Sequence, residues 1–98
     1  MFEIVQTDDF YEWFTRLADG KARARIQARI DRLGLGNPGD VKPVALGVSE
    51  MRIDYGPGYR VYYIRRSKVV IVLLAGGDKR TQKKDIARAI AFAKSERT

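Results

Sequence analysis

The residues most able to do chemistry lie in the second half of the chain. There Arg52, Arg60, Arg65 and Arg66 are interleaved with Tyr55, Tyr59, Tyr62 and Tyr63. A guanidinium can grip a phosphate through two parallel hydrogen bonds, and a phenol ring can stack on an unpaired base. The combination suits single-stranded RNA better than the major groove of DNA, and no helix-turn-helix or zinc-finger spacing is present. A second basic group follows Gly76-Gly77: Lys79 and Arg80, then Gln82, Lys83, Lys84 and Asp85. Glycines permit close backbone approach, and a helix beginning nearby adds positive potential. A glycine pair followed by basic residues is by itself only a weak phosphate signal.

The missing residue types narrow the chemistry. The 98 residues contain no Cys and no His. That excludes a disulfide framework, a thiolate nucleophile, a Ser-His-Asp triad and the common catalytic metal sites. We expect no metal and no cofactor. Catalysis would fall to Arg, Lys, Tyr, Asp, Glu, Ser, Thr or backbone groups.

Charge is unevenly spread. The net formal charge is +7, yet residues 1–20 carry one basic residue, Arg16, against five acidic ones, so the remainder carries +11. Such a split favours a polyanionic partner, although an Arg-rich helix face is often only solvated. The N-terminal MFEIVQTDDF lacks signal-peptide character, and the longest apolar run, Val69 to Ala75, is too short to span a bilayer. We therefore expect a cytoplasmic protein with no membrane partner. A chain of this length buries only about two-thirds of its unfolded surface, so residues 1–98 are expected to form one domain.

Several elements must position these residues. Phe2 to Gln6 alternates as an edge strand does. Thr7, Asp8 and Asp9 are helix-capping types, and Phe10, Trp13, Phe14 and Leu17 then form one buried stripe. Gly20 is read as a break. Ala22, Ile26, Ile30 and Leu33 give a second stripe, with Arg23, Arg25, Arg29 and Arg32 around it, before the glycine-rich loop that starts at Gly34. Glu50 to Tyr55, Tyr59 to Arg65 and Val69 to Ala75 read as three strands of a meander. Gly56-Pro57-Gly58 and Arg65-Arg66-Ser67-Lys68 are its turns, and Gly76-Gly77 ends the last strand. Tyr59, Val61 and Tyr63 should face one way and Arg60, Tyr62 and Ile64 the other. A last helix begins near Thr81, with Ile86, Ala89, Ile90 and Ala93 inward. The expected class is α+β in the order β-α-α-β-β-β-α, a small antiparallel meander with an added N-terminal strand, packed on an αα-hairpin and a C-terminal helix.

Two stretches carry a family resemblance: Met51 to Tyr63, which contains RIDYGPGYRVYY, and Leu73 to Ile86, which contains GGDKRTQKKDI. Together they resemble the RelE/ParE toxin superfamily, most closely its HigB-like addiction module killer protein branch. The resemblance covers nearly the whole chain and the order of its elements. It implies a toxin encoded beside a small antitoxin, here a helix-turn-helix protein, with the free toxin monomeric. Many relatives are endoribonucleases that cut messenger RNA on the ribosome, so the ribosome and mRNA are the implied partners. The ParE branch instead poisons DNA gyrase, and a degenerate toxin that only binds a partner is a third reading.

RNA can be cut without a metal when the 2′-hydroxyl attacks the adjacent phosphate, provided charge on the phosphate oxygens is stabilised and two protons are managed. Arg60 matches the strand arginine that relatives use at the scissile phosphate, and Lys79 or Arg80 matches their basic loop residue. Tyr62 shares the Arg60 face, and Asp85 could accept a proton or orient Lys79. Arg52, Tyr55, Arg65, Gln82 and Lys83 are candidate RNA contacts. Each also has a plainer reading: an Arg60–Asp54 pair across the hairpin, half-buried tyrosines, or Asp85 complementing a helix dipole. Some relatives carry a C-terminal tyrosine or histidine as acid or base. This chain has only Phe92 as an aromatic after Tyr63, which leaves proton donor and acceptor unassigned.

Overall fold

The computed structural model describes residues 1–96. The elements are β1 (Glu3–Gln6), α1 (Asp8–Arg16), α2 (Gly20–Gly34), β2 (Val41–Ala45), β3 (Val48–Ile53), β4 (Tyr59–Arg65), β5 (Val70–Asp78), a single 3-10 turn (Lys79–Thr81) and α3 (Gln82–Glu96). The five strands form one sheet in the order β1-β5-β4-β3-β2. β1 runs parallel to β5, and the other pairings are antiparallel. This is a RelE-like α+β fold.

Local chemistry sets the helix ends. Thr7 is the cap that α1 uses: its hydroxyl accepts from Phe10 N at 3.1 Å and donates to Leu74 O of β5 at 2.8 Å, so one side chain starts the helix and ties it to the sheet. Asp19 caps α2 through Lys21 N and Ala22 N. The break between the helices therefore falls at residues 17–19, and Gly20 is the first residue of α2 rather than the break itself.

Each sheet face is covered differently. α1 and α2 cover one with Phe10, Ala22, Ile26, Ile30 and Leu33, which pack with Met51, Ile53, Tyr59, Val61, Tyr63, Ile71 and Leu73. α3 covers the other. Its buried Ala89 and Ala93 let the helix lie close over Val48, Tyr62, Ile64, Val72 and Leu74. The expected alternation along β4 holds, because Tyr59, Val61 and Tyr63 belong to the first core and Tyr62 and Ile64 to the second.

Two strand expectations need correction. Val41–Ala45 is a fourth antiparallel strand, so the order is β-α-α-β-β-β-β-α. Pro43 obscures it in the sequence, yet β2 is an edge strand and can tolerate a proline. The connection to β3 has positive φ at Leu46 (52°) and Gly47 (80°), and a leucine gives no sequence signal for such a turn. The last strand also does not stop at Ala75: Gly76 and Gly77 stay in register opposite Val61 and Arg60.

Candidate functional site

Cross-strand register brings the polar residues together. Glu50 lies opposite Tyr62, Arg52 opposite Arg60, and Arg60 opposite Gly77. All share the sheet face that α3 covers, at the end where α3 begins. The helix shields Tyr62 and Glu50 there, and Arg60 continues toward the rim.

Glu50 is the centre of the cluster. It is wholly buried. Its Oε2 accepts from Tyr62 OH at 3.0 Å and from Gln82 Nε2 at 2.7 Å, and lies 3.9 Å from Arg60 Nε. Glu50 Oε1 and Arg60 Nε are buried with no hydrogen-bond partner. The Arg60 side chain is only 14 % exposed. Its outer end reaches the rim, since a Cβ built on Gly58 would lie 3.6 Å from Arg60 Nη1 and equally far from Lys79 Cβ. Gly58 therefore sits in ordinary contact distance of both, and a glycine is required there by its φ of +81° rather than by crowding. Burial, and then the charge of Glu50, push the Tyr62 phenol well above its ordinary range.

The loop after β5 separates its two basic residues. Arg80 is 79 % exposed and folds back onto Asp78, with Nη2 to Oδ2 at 2.9 Å and Nε to Oδ1 at 3.2 Å. The Arg80 hydrogen bond holds the Asp78 carboxyl below its usual range. Lys79 is exposed and makes no ion pair with the described residues. Asp85 is buried beneath Gly77, accepts from the Thr81 hydroxyl and lies 3.6 Å from Arg88 Nη1. Arg88 also bonds Asp9 of α1. Asp85 therefore anchors the start of α3 and does not reach Lys79 through any described bond.

The remaining candidates are dispersed. Arg52 pairs with Asp40 at 2.9 Å on the flank of the cluster. Gln82 spends its amide on Glu50, and Lys83 is exposed on the first turn of α3. Tyr55 lies with the α1/α2 core, its hydroxyl 3.2 Å from Asp19 and its ring under Arg25. Arg65 ends β4 at the opposite end of the sheet and covers the Phe2 ring. The plainer Arg60–Asp54 pair is not what forms, because Glu50 takes that place.

Sequence reading missed Glu50. Its signal was a carboxylate two residues before Arg52, in a strand otherwise alternating toward an apolar face. The α2 arginines are also less solvated than expected. Arg23 bonds Leu17 O, while Arg29 donates to the carbonyls of Arg52 at 2.6 Å, Pro38 at 2.9 Å and Asp40 at 3.2 Å. Arg29 braces the loop that carries Asp40 and so helps fix where Arg52 points.

A RelE-like sheet with one face sealed and a basic rim on the other defines the class: a small toxin-like α+β protein. The chain belongs to the Gp49-like phage-derived protein family (DUF891), whose family model matches residues 12–98. That family is toxin-like and related to RelE. A protein of Haemophilus influenzae, named only as an uncharacterized protein, is 48 % identical over 91 residues, covering 93 % of this chain and 92 % of the relative. The matched spans include the whole Glu50–Arg60–Gln82 cluster. Membership in a toxin-like family implies an antitoxin partner. No helix among the described residues is long and apolar enough to cross a membrane.

Proposed function

We propose that this protein is the toxin of a type II toxin–antitoxin pair, in the HigB-like branch, and that it cuts messenger RNA on the ribosome without a metal. The observation that carries this reading is Arg60. Its inner edge faces a buried carboxylate, and its outer nitrogen reaches a rim shared with the uncommitted Lys79. A guanidinium held in that way is suited to a scissile phosphate. The 2′-hydroxyl would lose its proton to water as its oxygen attacks phosphorus and the bond to the 5′-oxygen breaks, leaving a 2′,3′-cyclic phosphate and a 5′-hydroxyl. Arg60 and Lys79 would neutralise the growing charge on the phosphate oxygens.

The proton chemistry is narrower than the residue types suggest. The Tyr62 hydroxyl and the Asp85 carboxyl are buried and hydrogen-bonded, so their role is support. Lys79 is the exposed neighbour of Arg60 with a transferable proton, which suits it to protonate the leaving 5′-oxygen. Lys83 flanks the rim as an RNA-backbone contact, with Arg52 held to Asp40 beside it. Arg80 is tied to Asp78 and contributes mainly to loop shape. Residues 1–98 would act as one cytoplasmic domain, monomeric until a small helix-turn-helix antitoxin binds.

Mapping messenger-RNA 5′ ends by primer extension after induction tests the reading. New cuts within translated regions are expected, absent with Arg60→Lys, which keeps a cation facing the buried Glu50 but loses the planar guanidinium. Growth arrest with intact messages would overturn it and point to a protein target such as gyrase.

A further inference from the structure

We infer that Glu50 is a positioning residue that sets the Arg60 guanidinium from behind, so that its outer nitrogens meet the phosphate in one orientation. This rests on the reading of Arg60 as the phosphate-binding group.

The argument begins with cost. A carboxylate with no exposed surface is unfavourable unless it is paired and hydrogen-bonded. Glu50 has both, from three elements: its own strand β3, Tyr62 of β4 and Gln82 of α3. The two hydrogen bonds converge on Oε2 and fix the carboxyl. Arg60 Nε then lies 3.9 Å away, close enough for strong attraction and too far for a hydrogen bond. Glu50 Oε1 and Arg60 Nε are buried and make no hydrogen bond. Packing alone would be served as well by an apolar residue at position 50, as the neighbouring Val48 shows on the same face. The carboxylate is accounted for by what it holds: a charged group whose working end lies at the rim beside Gly58 and Lys79.

The test uses the full chain labelled with nitrogen-15 and follows the Arg60 Nε–H signal, assigned by its loss in Arg60→Lys. The wild-type signal should stand apart from those of exposed arginines and exchange slowly with water. Glu50→Gln keeps the shape and an acceptor for Tyr62 but removes the charge. Its Arg60 signal should move to the position of solvated arginines and exchange faster. Cleavage should fall on the order of 100-fold in kcat with KM little changed, as mispositioning by about 1 Å predicts. Gln82→Ala keeps the charge and frees one side of the carboxyl, so its Arg60 signal should broaden and shift part of the way. An unchanged Arg60 signal in Glu50→Gln overturns the inference. If that variant does not fold, an unchanged signal in Gln82→Ala overturns it instead. A wild-type protein that cuts no RNA would defeat the proposed function alone, because the Arg60 signal reports positioning whatever the target.

Discussion

Two consecutive glycines face opposite sides of the sheet and meet very different neighbours. A Cβ on Gly76 would lie 2.1 Å from a ring carbon of Trp13, on the α1/α2 side. A Cβ on Gly77 would lie 1.7 Å from Asp85 Oδ2 and 2.8 Å from Thr81 Oγ1, on the α3 side. The first side is closed by an indole that itself meets Phe10 at a tilt and Tyr59 edge-on. The second is closed by a carboxyl at the start of a helix, and beyond it the sheet opens onto Arg60. One face therefore serves stability through apolar packing. The other gives up part of its packing to hold charges in place.

That contrast predicts unequal costs. Gly76→Ala forces a rigid, packed ring to move and should destabilise by about 3 kcal/mol or more, lowering Tm by about 12 °C or more in a domain of this size. Gly77→Ala asks a short carboxyl to rotate and should cost about 1–2 kcal/mol, while displacing the first turn of α3 and with it Gln82. Thermal melts beside cleavage assays separate the two. Gly76→Ala should lose stability first, and Gly77→Ala should lose activity at temperatures where it is still folded. A larger stability loss for Gly77→Ala would break the comparison.

Alkaline titration sharpens it. Tyr62 and Tyr63 are adjacent, face opposite cores, and both have phenols raised above 10.0, by burial first in each case. A raised phenol contributes stability that is fully present below the unfolded value and is lost as pH climbs toward the folded one. Stability should therefore be flat from pH 7 to about pH 9 and fall above about pH 10. Glu50 adds to the shift of Tyr62, whereas Arg29 and Arg65 oppose that of Tyr63. Tyr62→Phe should accordingly remove more of the alkaline loss than Tyr63→Phe. At neutral pH it should cost about 1–3 kcal/mol, since Glu50 loses a donor. Denaturant midpoints across pH 7 to 11 for both variants provide the measurement.

The same two faces explain what the sequence made legible. Alternation over Tyr59–Arg65 was enough to put Arg60 and Tyr62 on one side, because a strand reverses side chains at every residue. Stripes at helical spacing located the cores of α1, α2 and α3. Glu50 was not legible. Its burial depends on Tyr62 opposite and on Gln82, which is 32 residues away and arrives only when α3 docks. The glycine pair was misread for a related reason. Glycine normally punctuates a strand, but here the lack of a side chain is needed by Trp13, far away in sequence, and by Asp85, which turns back over Gly77 from the first turns of α3. Arg29 looked like one member of a solvated face because two of its carbonyl partners, Pro38 and Asp40, lie in a loop without sequence pattern and the third, Arg52, lies on β3 far along the chain.

The smallest expected effect concerns the rim. Arg52 faces Arg60 across the β3–β4 ladder, yet its Nη2 is drawn to Asp40, and both side chains are substantially exposed. An exposed pair contributes at most about 1 kcal/mol, so Asp40→Ala should move Tm by only a few degrees. Its effect on RNA should be the clearer one. Without Asp40 the Arg52 guanidinium is released beside Arg60, adding one cation to the rim. The slope of log affinity against log salt on a single-stranded oligonucleotide should then steepen by about 0.7, the value for one further phosphate neutralised. A flatter or unchanged slope would mean that Arg52 stays with the β2–β3 flank and that the RNA-facing rim ends at Arg60.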